Sequence, residues 1–468
     1  MTMTATTLLL TITPSRSIAA AAWKTLAIAA LAVFVVSLDT TVLFVAFPSI
    51  QRTFPGVSSE ALSWVLNAYT IGYGALLVPA GRLADRFGRR AFFLAGIAVF
   101  TLASVLCGIA PGVATMVAAR ALQSIGAAML MPASLALVLY AFPAERRGTA
   151  IGIWGAVGAL AAALGPAVGS AVVQFASWRW AFLLNLPLGI VALVVGARLL
   201  RESRAKERGP LPDALGAVLL IGAFGALAYG IVGMRTQPSS ALPVLVLGAA
   251  LLLLFVWRSL LVRTPALDLR LFGRPTFAIA NAVSLVFSVA FTAMFFGNVF
   301  FLTERWHLSI FEAGLWISPG PLTVIPVAIL TGRLADRIGY RPLFVAGGLL
   351  FSAGAAWLLF SNAHEAASFL LWLPGSILNG AAIGMILPSL SGAAASELDA
   401  ATFGVGSGVN QAVRQFGSVL GIAIVVALLG ALGQAARFEN VFLLLLASGV
   451  LTAAGGAFLP ARRRAVRA

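Results

Sequence analysis

The sequence predicts an α-helical protein that crosses a membrane many times. Of its 468 residues, 60% are hydrophobic and only 10% are charged, and the mean hydropathy is +1.01. Soluble domains carry about 25% charged residues, so too few polar side chains are present here to cover a water-exposed surface. The apolar runs are long and continuous rather than alternating. Because only helices and closed barrels satisfy their backbone groups in lipid, these runs predict helices.

The number of spans follows from the length of the apolar runs. About 20 apolar residues, rising roughly 1.5 Å each, cross a hydrocarbon layer of about 30 Å. With charged clusters and Pro/Gly breaks as boundaries, the sequence predicts fourteen helices. They lie near residues 25–47, 60–80, 91–110, 113–140, 147–172, 180–198, 213–233, 241–261, 275–302, 309–331, 343–360, 366–390, 403–432 and 439–460.

The basic residues predict the orientation in the membrane. If the N-terminus is cytoplasmic, 24 of the 31 Lys and Arg residues fall in inside segments, five fall in outside loops, and Arg120 and Arg414 lie within helices. Short cytoplasmic loops attract such an excess. We therefore expect both termini to be cytoplasmic. The net charge of +16 has the same origin and does not indicate a nucleic-acid partner.

An internal repeat divides the chain. The ten residues 81–90 recur at 332–341 with eight identities, an offset of 251 residues. The same offset places the first two predicted helices on the ninth and tenth. Two parallel six-helix halves are a transporter architecture.

The repeat and the charged segments together predict five parts. They are a flexible N-terminal tail at 1–20, a six-helix bundle at 21–200, basic linkers with two extra helices at 201–274, a second six-helix bundle at 275–460 and a basic C-terminal tail at 461–468.

Asp39 is the one acidic residue deep inside a predicted span. A charged side chain there costs a few kcal/mol on insertion scales, which indicates a functional role. Burial favours the protonated form of a carboxyl group, which suits a proton carrier. Arg120 is equally costly in the fourth span and must face a cavity or a partner. A structural ion pair between the two is the alternative interpretation of both residues, and for Asp39 a helix-kinking hydrogen bond is another.

Several motifs resemble the fourteen-helix drug:proton antiporter branch of the major facilitator superfamily along almost the whole chain. They are residues 38–42, 64–69, 81–90, 120–123, 155–170, 178–187 and 414–417. The resemblance implies the major facilitator fold, proton-coupled efflux of hydrophobic or cationic molecules by alternating access, and a location in the cytoplasmic membrane. It also implies that Asp39 and Arg120 act in proton coupling.

The resemblance assigns a role to the repeated loop as a gate, meaning a contact that closes the cytoplasmic side in one state of the cycle. A turn that only directs membrane insertion would explain the arginines but not the repeated aspartate. The expected gate residues are Gly81, Asp85, Arg86, Gly88, Arg89, Gly332, Asp336, Arg337 and Gly339.

The fifth span carries small residues that allow close helix packing, and a proline that can kink it. The resemblance makes these residues a hinge and seal between the halves, although this chain has Ser170 where relatives have a second glycine. A packing interface alone is the other interpretation. The hinge residues are Gly155, Gly158, Gly165, Pro166 and Gly169.

A substrate cavity is expected between the halves, and its polar residues are predicted to be Asn67, Tyr69, Gln123, Asn410 and Arg414. For Arg414 a structural role is an equal alternative. Aromatic side chains such as Phe291 and Phe295 are further candidates, since aromatic faces hold flat or cationic molecules. Glu312 is a second, weaker acid candidate for proton coupling.

The remaining residues exclude other classes of function. Neither lysine ends a phosphate-binding loop, and the two histidines have no neighbouring ligands in sequence, so we expect no ATP site, metal site or enzyme. A single cysteine, Cys107, excludes an intramolecular disulfide.

The expected partners are a small-molecule substrate, protons and membrane lipids, with no cofactor beyond the proton, no nucleic acid and no obligate protein partner. Four alternatives remain: an exporter of an endogenous metabolite, lipid or self-made antibiotic; a proton symporter for uptake; a membrane sensor or scaffold; and a channel.

Overall fold

The computed structural model describes residues 20–143, 146–204, 211–234, 237–364, 366–398, 403–429 and 438–460, without the side chains at 148, 336, 403 and 404. The predicted tails at 1–20 and 461–468 lie outside the described residues, apart from Ala20, which begins the first helix.

Fourteen helices in this part of the chain are long and apolar enough to cross a membrane, which confirms the predicted number. The helices of the first half are α1 (Ala20–Thr53), α2 (Ser59–Phe87), α3 (Arg89–Gly108), α4 (Val113–Ala141), α5 (Arg147–Phe175) and α6 (Trp178–Leu183 continued by Asn185–Leu199). The extra pair is α7 (Ala214–Gly233) and α8 (Pro238–Leu261). The second half contains α9 (Pro275–Phe300), α10 (Ile310–Ile317 continued by Pro319–Ile338), α11 (Tyr340–Asn362), α12 (Phe369–Ala395), α13 (Phe403–Leu429) and α14 (Phe438–Ala457).

The ends of the helices follow from local chemistry. Ser58 accepts a hydrogen bond from the backbone of Ala61 at the start of α2, and Ser309 and Glu312 form a reciprocal capping box at the start of α10. The repeated loops both turn at a glycine with positive φ, 118° at Gly88 and 79° at Gly339. Because L side chains rarely adopt such angles, glycine is required at both turns. The sequence repeat is therefore also a repeat of backbone conformation.

Each half packs as a bundle. In the first half, α1 lies along α5, and α4 lies between α2 and α3. In the second half, α11 packs on α12 and α14, α12 packs on α10, and α9 packs on α13 and α14. Within the extra pair, α7 and α8 pack on each other, and α7 also contacts both α2 and α13. The stacked rings of Phe224 and Phe416, 3.9 Å apart, join α7 to the second half.

Two pairs of helices form the main contacts between the halves, α2 with α13 and α5 with α10. Gly74 of α2 lies against Gln415 and Phe416 of α13, and Gly408 of α13 lies against Val78 of α2. The α5–α10 pair is in contact at one end only.

At the end of the α5–α10 pair away from the repeated loops, the rings of Phe175 and Phe311 are 5.3 Å apart. Towards the loops, added methyl groups at Gly152 and Gly155 of α5, or at Gly332 of α10, would meet no described atom within 4 Å. At the end away from the loops, α1 and α9 also touch through Phe47 and Phe296, whose ring centroids are 4.8 Å apart. A cleft therefore opens between α5 and α10 towards the end that the basic residues predict to be cytoplasmic.

Candidate functional site

The carboxylate of Asp39 lies at the centre of a hydrogen-bonded network inside the first half. Arg120 Nη1 donates to Oδ2 over 2.6 Å, while Gln123 Nε2 and Asn185 Nδ2 donate to Oδ1 over 2.9 and 2.7 Å. Ser104 accepts from Gln123 over 2.8 Å and from Asn185 over 3.3 Å. The network thus joins α1, α3, α4 and α6.

Arg120 is held from several directions. Its Nε donates to the carbonyl oxygen of Val65 over 3.0 Å, and Nη1 also donates to Oε1 of Gln123 over 2.6 Å. The guanidinium lies 4.0 Å from the centre of the Tyr69 ring, which is a cation–π contact. Arg120 therefore has favourable partners besides Asp39.

The Asp39–Arg120 pair is almost completely removed from solvent, with exposed fractions of 2% for Asp39 and 1% for Arg120. Every group that hydrogen-bonds to the Asp39 carboxylate is an N–H donor. This arrangement fits the ionised carboxylate, because a protonated oxygen would need an acceptor in place of one of these donors. Desolvated charges of this kind are stable only when they are paired and hydrogen-bonded, and both conditions hold here.

The glycines of α5 bring that helix close to α1. If a Cβ atom were added at Gly158, Gly165 or Gly169, its nearest neighbour would be an atom of an α1 residue. These α1 residues are Val33, Thr41 and Val42, respectively. Three of the predicted hinge glycines therefore allow close packing within the first half. Gly155 instead borders the open end of the cleft, where an added Cβ meets no described atom within 4 Å.

Pro166 and Ser170 belong to the contact between the halves. An added Cβ at Gly314 of α10 would meet the Ser170 side chain and the carbonyl oxygen of Pro166. Ser170 is completely buried. Ser170 therefore packs closely against α10, since the missing side chain of Gly314 provides the space.

A cavity lies between α5 of the first half and α9, α10 and α12 of the second. Its empty volume is about 630 Å³, including the space at its open mouth, and most of its lining is apolar. Phe291 and Phe295 contribute aromatic surface, and Asn298 and Asn379 contribute amide groups.

Comparison with known proteins gives the family. The sequence profile of the Major Facilitator Superfamily matches residues 29–422 and 282–468. The chain belongs to the major facilitator superfamily. It is therefore a multi-pass membrane transporter and not an enzyme.

Relatives within the superfamily have names that refer to drug or antibiotic resistance and, in one case, to export. Multidrug resistance protein Stp of Mycobacterium tuberculosis is 34% identical over 411 residues, covering 87% of this chain and 76% of Stp. The methylenomycin A resistance protein of Streptomyces coelicolor is 36% identical over 401 residues, covering 83% and 81%. The tetracenomycin C resistance and export protein of Streptomyces glaucescens is 30% identical over 436 residues, covering 92% and 79%.

Among solved structures, the xylose transporter XylE from E. coli, in a partially occluded inward open conformation, matches with a TM-score of 0.66. The match covers 94% of this chain and 98% of XylE. With 17% sequence identity, this likeness confirms the major facilitator fold alone.

The first repeated loop of this superfamily member contacts both linkers, since Arg82 Nη1 donates to the carbonyl oxygen of Pro265 over 2.8 Å. Asp85 accepts hydrogen bonds from Arg89 over 2.8 Å, and the carboxylate of Glu202 accepts from the backbone N–H groups of Arg90 and Ala91 over 3.1 Å each. The Glu202 carboxylate also occupies the space where a Cβ of Gly88 would lie. In this conformation the loop is thus braced by the linker after α6.

The second repeated loop is described only in part. Gly332 has open space around it and Arg337 is exposed, while the side chain of Asp336 lies outside the described part. Arg86 of the first loop lies 6.0 Å from the ring of Phe87. The gate role of these residues stays a prediction.

The residues predicted to line a substrate cavity are located outside the wall of the observed cavity. Tyr69 and Gln123 belong to the Asp39 network, and Asn410 Nδ2 donates to Asn281 Oδ1 over 3.0 Å and to Ser284 Oγ over 3.1 Å. Asn67 is buried in α2, and Arg414 lies near Tyr73 at the α2–α13 contact.

Glu312, the second acid candidate, is in the exposed capping box at the start of α10, so its carboxylate already has a structural role.

Sequence reasoning missed Ser104 and Asn185 in the Asp39 network, and Asn298 and Asn379 in the cavity wall. The resemblance did mark Asn185, which lies in the segment 178–187, but it assigned no contact to it.

Proposed function

We propose that this protein exports small hydrophobic or cationic molecules in exchange for protons, and that Asp39 carries the proton. The buried Asp39–Arg120 pair, joined over 2.6 Å, is the observation that supports the proposal most strongly. The names of the relatives support the export of drugs and antibiotics.

Proton binding changes the pair in a way that suits coupling. Protonation of Asp39 removes the counter-charge of Arg120, which retains the Val65 carbonyl, Gln123 and the Tyr69 ring as partners. The protonated state is therefore accessible without leaving a buried cation wholly unpaired. It also weakens the contacts that join α1 to α4, so proton binding and the arrangement of the helices are linked.

The side on which the cleft opens supports one step of the transport cycle for this conformation. With the predicted orientation, the cleft opens to the cytoplasm while Asp39 is ionised, as after proton release on that side. Cargo then binds from the cytoplasm. One charge moving through 100 mV provides about 2.3 kcal/mol, which supports a gradient of roughly fifty-fold.

Inside-out membrane vesicles with an acidified lumen test this proposal. Two fluorescent probes, cationic ethidium and neutral acridone, are compared in wild type, Asp39→Asn and Glu312→Gln. We expect gradient-dependent accumulation of at least one probe in wild type and its loss in Asp39→Asn. Glu312→Gln is the matched control, because it makes the same chemical change at an exposed cap that glutamine also satisfies.

Accumulation that Asp39→Asn retains would overturn the role of Asp39. No accumulation of either probe by well-inserted wild type would overturn drug export.

A second candidate function is the export of one self-made antibiotic or metabolite. The names of two Streptomyces relatives, each referring to a single antibiotic, favour it. Resistance to one compound in a panel of unrelated toxic molecules would support this candidate, and resistance to several would support the broad exporter.

A further inference from the structure

Among the described residues that line the cavity formed by α5, α9, α10 and α12, none has an ionisable side chain. Three alanines of α5 close one wall, and the rings of Phe291 and Phe295 supply flat apolar surface. The Asp39 carboxylate is enclosed by its own partners in another part of the molecule. A cation in this cavity would therefore lose its hydration without gaining a counter-ion, which is strongly unfavourable.

The amides of the cavity wall are short of hydrogen-bond partners. Asn379 is 2% exposed, and neither its Oδ1 nor its Nδ2 has a partner within the described residues. Asn298 is 6% exposed, and its Oδ1 is likewise unpartnered in that part of the chain. Buried polar atoms are nearly always hydrogen-bonded, so two such side chains in one cavity wall require an explanation.

Neighbouring residues hold these amides in the wall. Oδ1 of Asn379 lies against Gly354 of α11, where any larger residue would collide with it. Asn298 is at the end of α9, where Phe301 begins a wider turn of helix and donates its backbone N–H to the Asn298 carbonyl oxygen. Both side chains are thus parts of packed helices rather than of mobile loops.

We propose that this cavity binds uncharged, flat aromatic molecules that carry both a hydrogen-bond donor and an acceptor, with Asn298 and Asn379 as the residues that select them. The proposal rests on the proposed export function and narrows its cargo to neutral molecules. The phenylalanine rings contact the flat face of the cargo, Nδ2 of Asn379 donates to its carbonyl group, and Oδ1 of Asn298 accepts from its hydroxyl or N–H group. A cargo without such groups leaves the amides unpaired and binds less tightly.

Three probes with the same three-ring shape test the proposal. Acridone is neutral and has a carbonyl and an N–H group, anthracene has neither, and N-methylacridinium carries a positive charge. Their binding to the purified protein in lipid nanodiscs is measured by fluorescence titration without a proton gradient. We expect acridone to bind at least about three- to tenfold more tightly than anthracene, in line with the net value of a buried hydrogen bond, and N-methylacridinium to bind most weakly.

Variants of the two asparagines test whether their amides cause the preference for acridone. Asn298→Leu and Asn379→Leu keep the branched shape of the side chain but remove the amide, and each is expected to lower the preference for acridone over anthracene by about three- to tenfold. Thermal stability should stay the same or rise, because an unsatisfied polar group is removed. Thr452→Val of α14 is the matched control, since it removes a buried hydroxyl that also lacks a described partner but lies outside the cavity lining.

The outcomes separate this proposal from the proposed function. Equal binding of acridone and anthracene by wild type, tighter binding of N-methylacridinium, or an unchanged preference in both leucine variants would overturn the cavity assignment. The last of these results would show that water satisfies the amides. Proton-driven transport in vesicles is a separate readout: if it persists, the export function stands without this cavity. If acridone binding depends on the amides but no gradient drives transport, the cavity stands and proton-coupled export fails.

Discussion

In the first half, α1, α3, α4 and α6 meet around the ionised carboxylate of Asp39. In the second half, the positions 251 residues after Asp39, Ser104 and Arg120 are Ala290, Ala355 and Leu371. The second half instead joins α9 to α13 through neutral groups, Asn281, Ser284 and Asn410. The two halves share a repeated backbone, but the first half contains a charged network and the second half contains a network of neutral amide and hydroxyl groups. We infer that the first half handles the proton and the second half provides most of the cargo surface.

The largest expected effect on stability is in the charged network. Arg120→Leu leaves the Asp39 carboxylate buried without its counter-charge and should lower the free energy of unfolding by about 3–5 kcal/mol. The double variant Asp39→Asn/Arg120→Leu removes both charges and should recover most of that loss. Thermal unfolding of the purified proteins in detergent measures both. Equal instability of the single and double variants would contradict a desolvated ion pair.

The repeated loops provide the next comparison. Gly88→Ala and Gly339→Ala place a side chain where φ is positive, and each should cost about 1–3 kcal/mol of stability. Gly88→Ala should cost more, because its Cβ would also collide with the carboxylate of Glu202. Adding Glu202→Ala removes the collision but also the cap of α3. Urea titration followed by tryptophan fluorescence compares the variants, and a larger loss at Gly339 would contradict the bracing by Glu202.

In the neutral network the effect should be smaller. Asn410→Leu removes two interhelical hydrogen bonds between α13 and α9, and such bonds are worth about 0.6 kcal/mol on average and up to about 1.7 in membrane proteins. Thermal unfolding should therefore show a loss well below that of Arg120→Leu. If Asn410→Leu lost as much stability as Arg120→Leu, the expected difference between the neutral and the charged network would be contradicted.

The smallest effect is expected outside the spans, before α7. Burial raises the pKa of Asp213, but hydrogen bonds from Arg258 and from the backbone of Gly216 outweigh it, so the pKa is below its ordinary value. A lowered pKa stabilises the fold above the unfolded-state pKa of about 4, and this contribution is lost as the pH falls further. The stability difference between wild type and Asp213→Asn should thus be present at pH 7 and shrink below about pH 4. A difference that grows on acidification would contradict the assignment.

The fold was predictable because its main determinant, the length of each uninterrupted apolar run, can be read directly from the sequence. Each span is one local run, and the loops 81–90 and 332–341 show the repeat directly. The pairing of Asp39 and Arg120 was predictable for a similar reason, since a charge in an apolar span is costly and requires a partner.

The neutral members of the site were not predictable. Asn185 reaches Asp39 across 146 positions, and Asn379 lies in the cavity wall only because α12 packs beside α10. Amides cost less than charges in a membrane and are common in packing contacts, so their presence in a span does not indicate a site. Three-dimensional packing decides which amides, such as that of Asn410, are paired and which are left for a ligand.

The inference that the first half binds the proton and the second half provides most of the cargo surface is tested most directly by measuring proton release when cargo binds. Acridone is added to purified wild type, Asp39→Asn and Asn379→Leu in weakly buffered solution, and a pH indicator records the released protons while binding is measured in parallel. Linkage requires that cargo which favours the ionised state displaces protons. We expect release by wild type, and weaker binding without release by Asp39→Asn, because the neutral asparagine resembles the protonated state that cargo disfavours. For Asn379→Leu we expect weaker binding with proportionally less release. Release by Asp39→Asn equal to that of wild type would contradict Asp39 as the proton carrier.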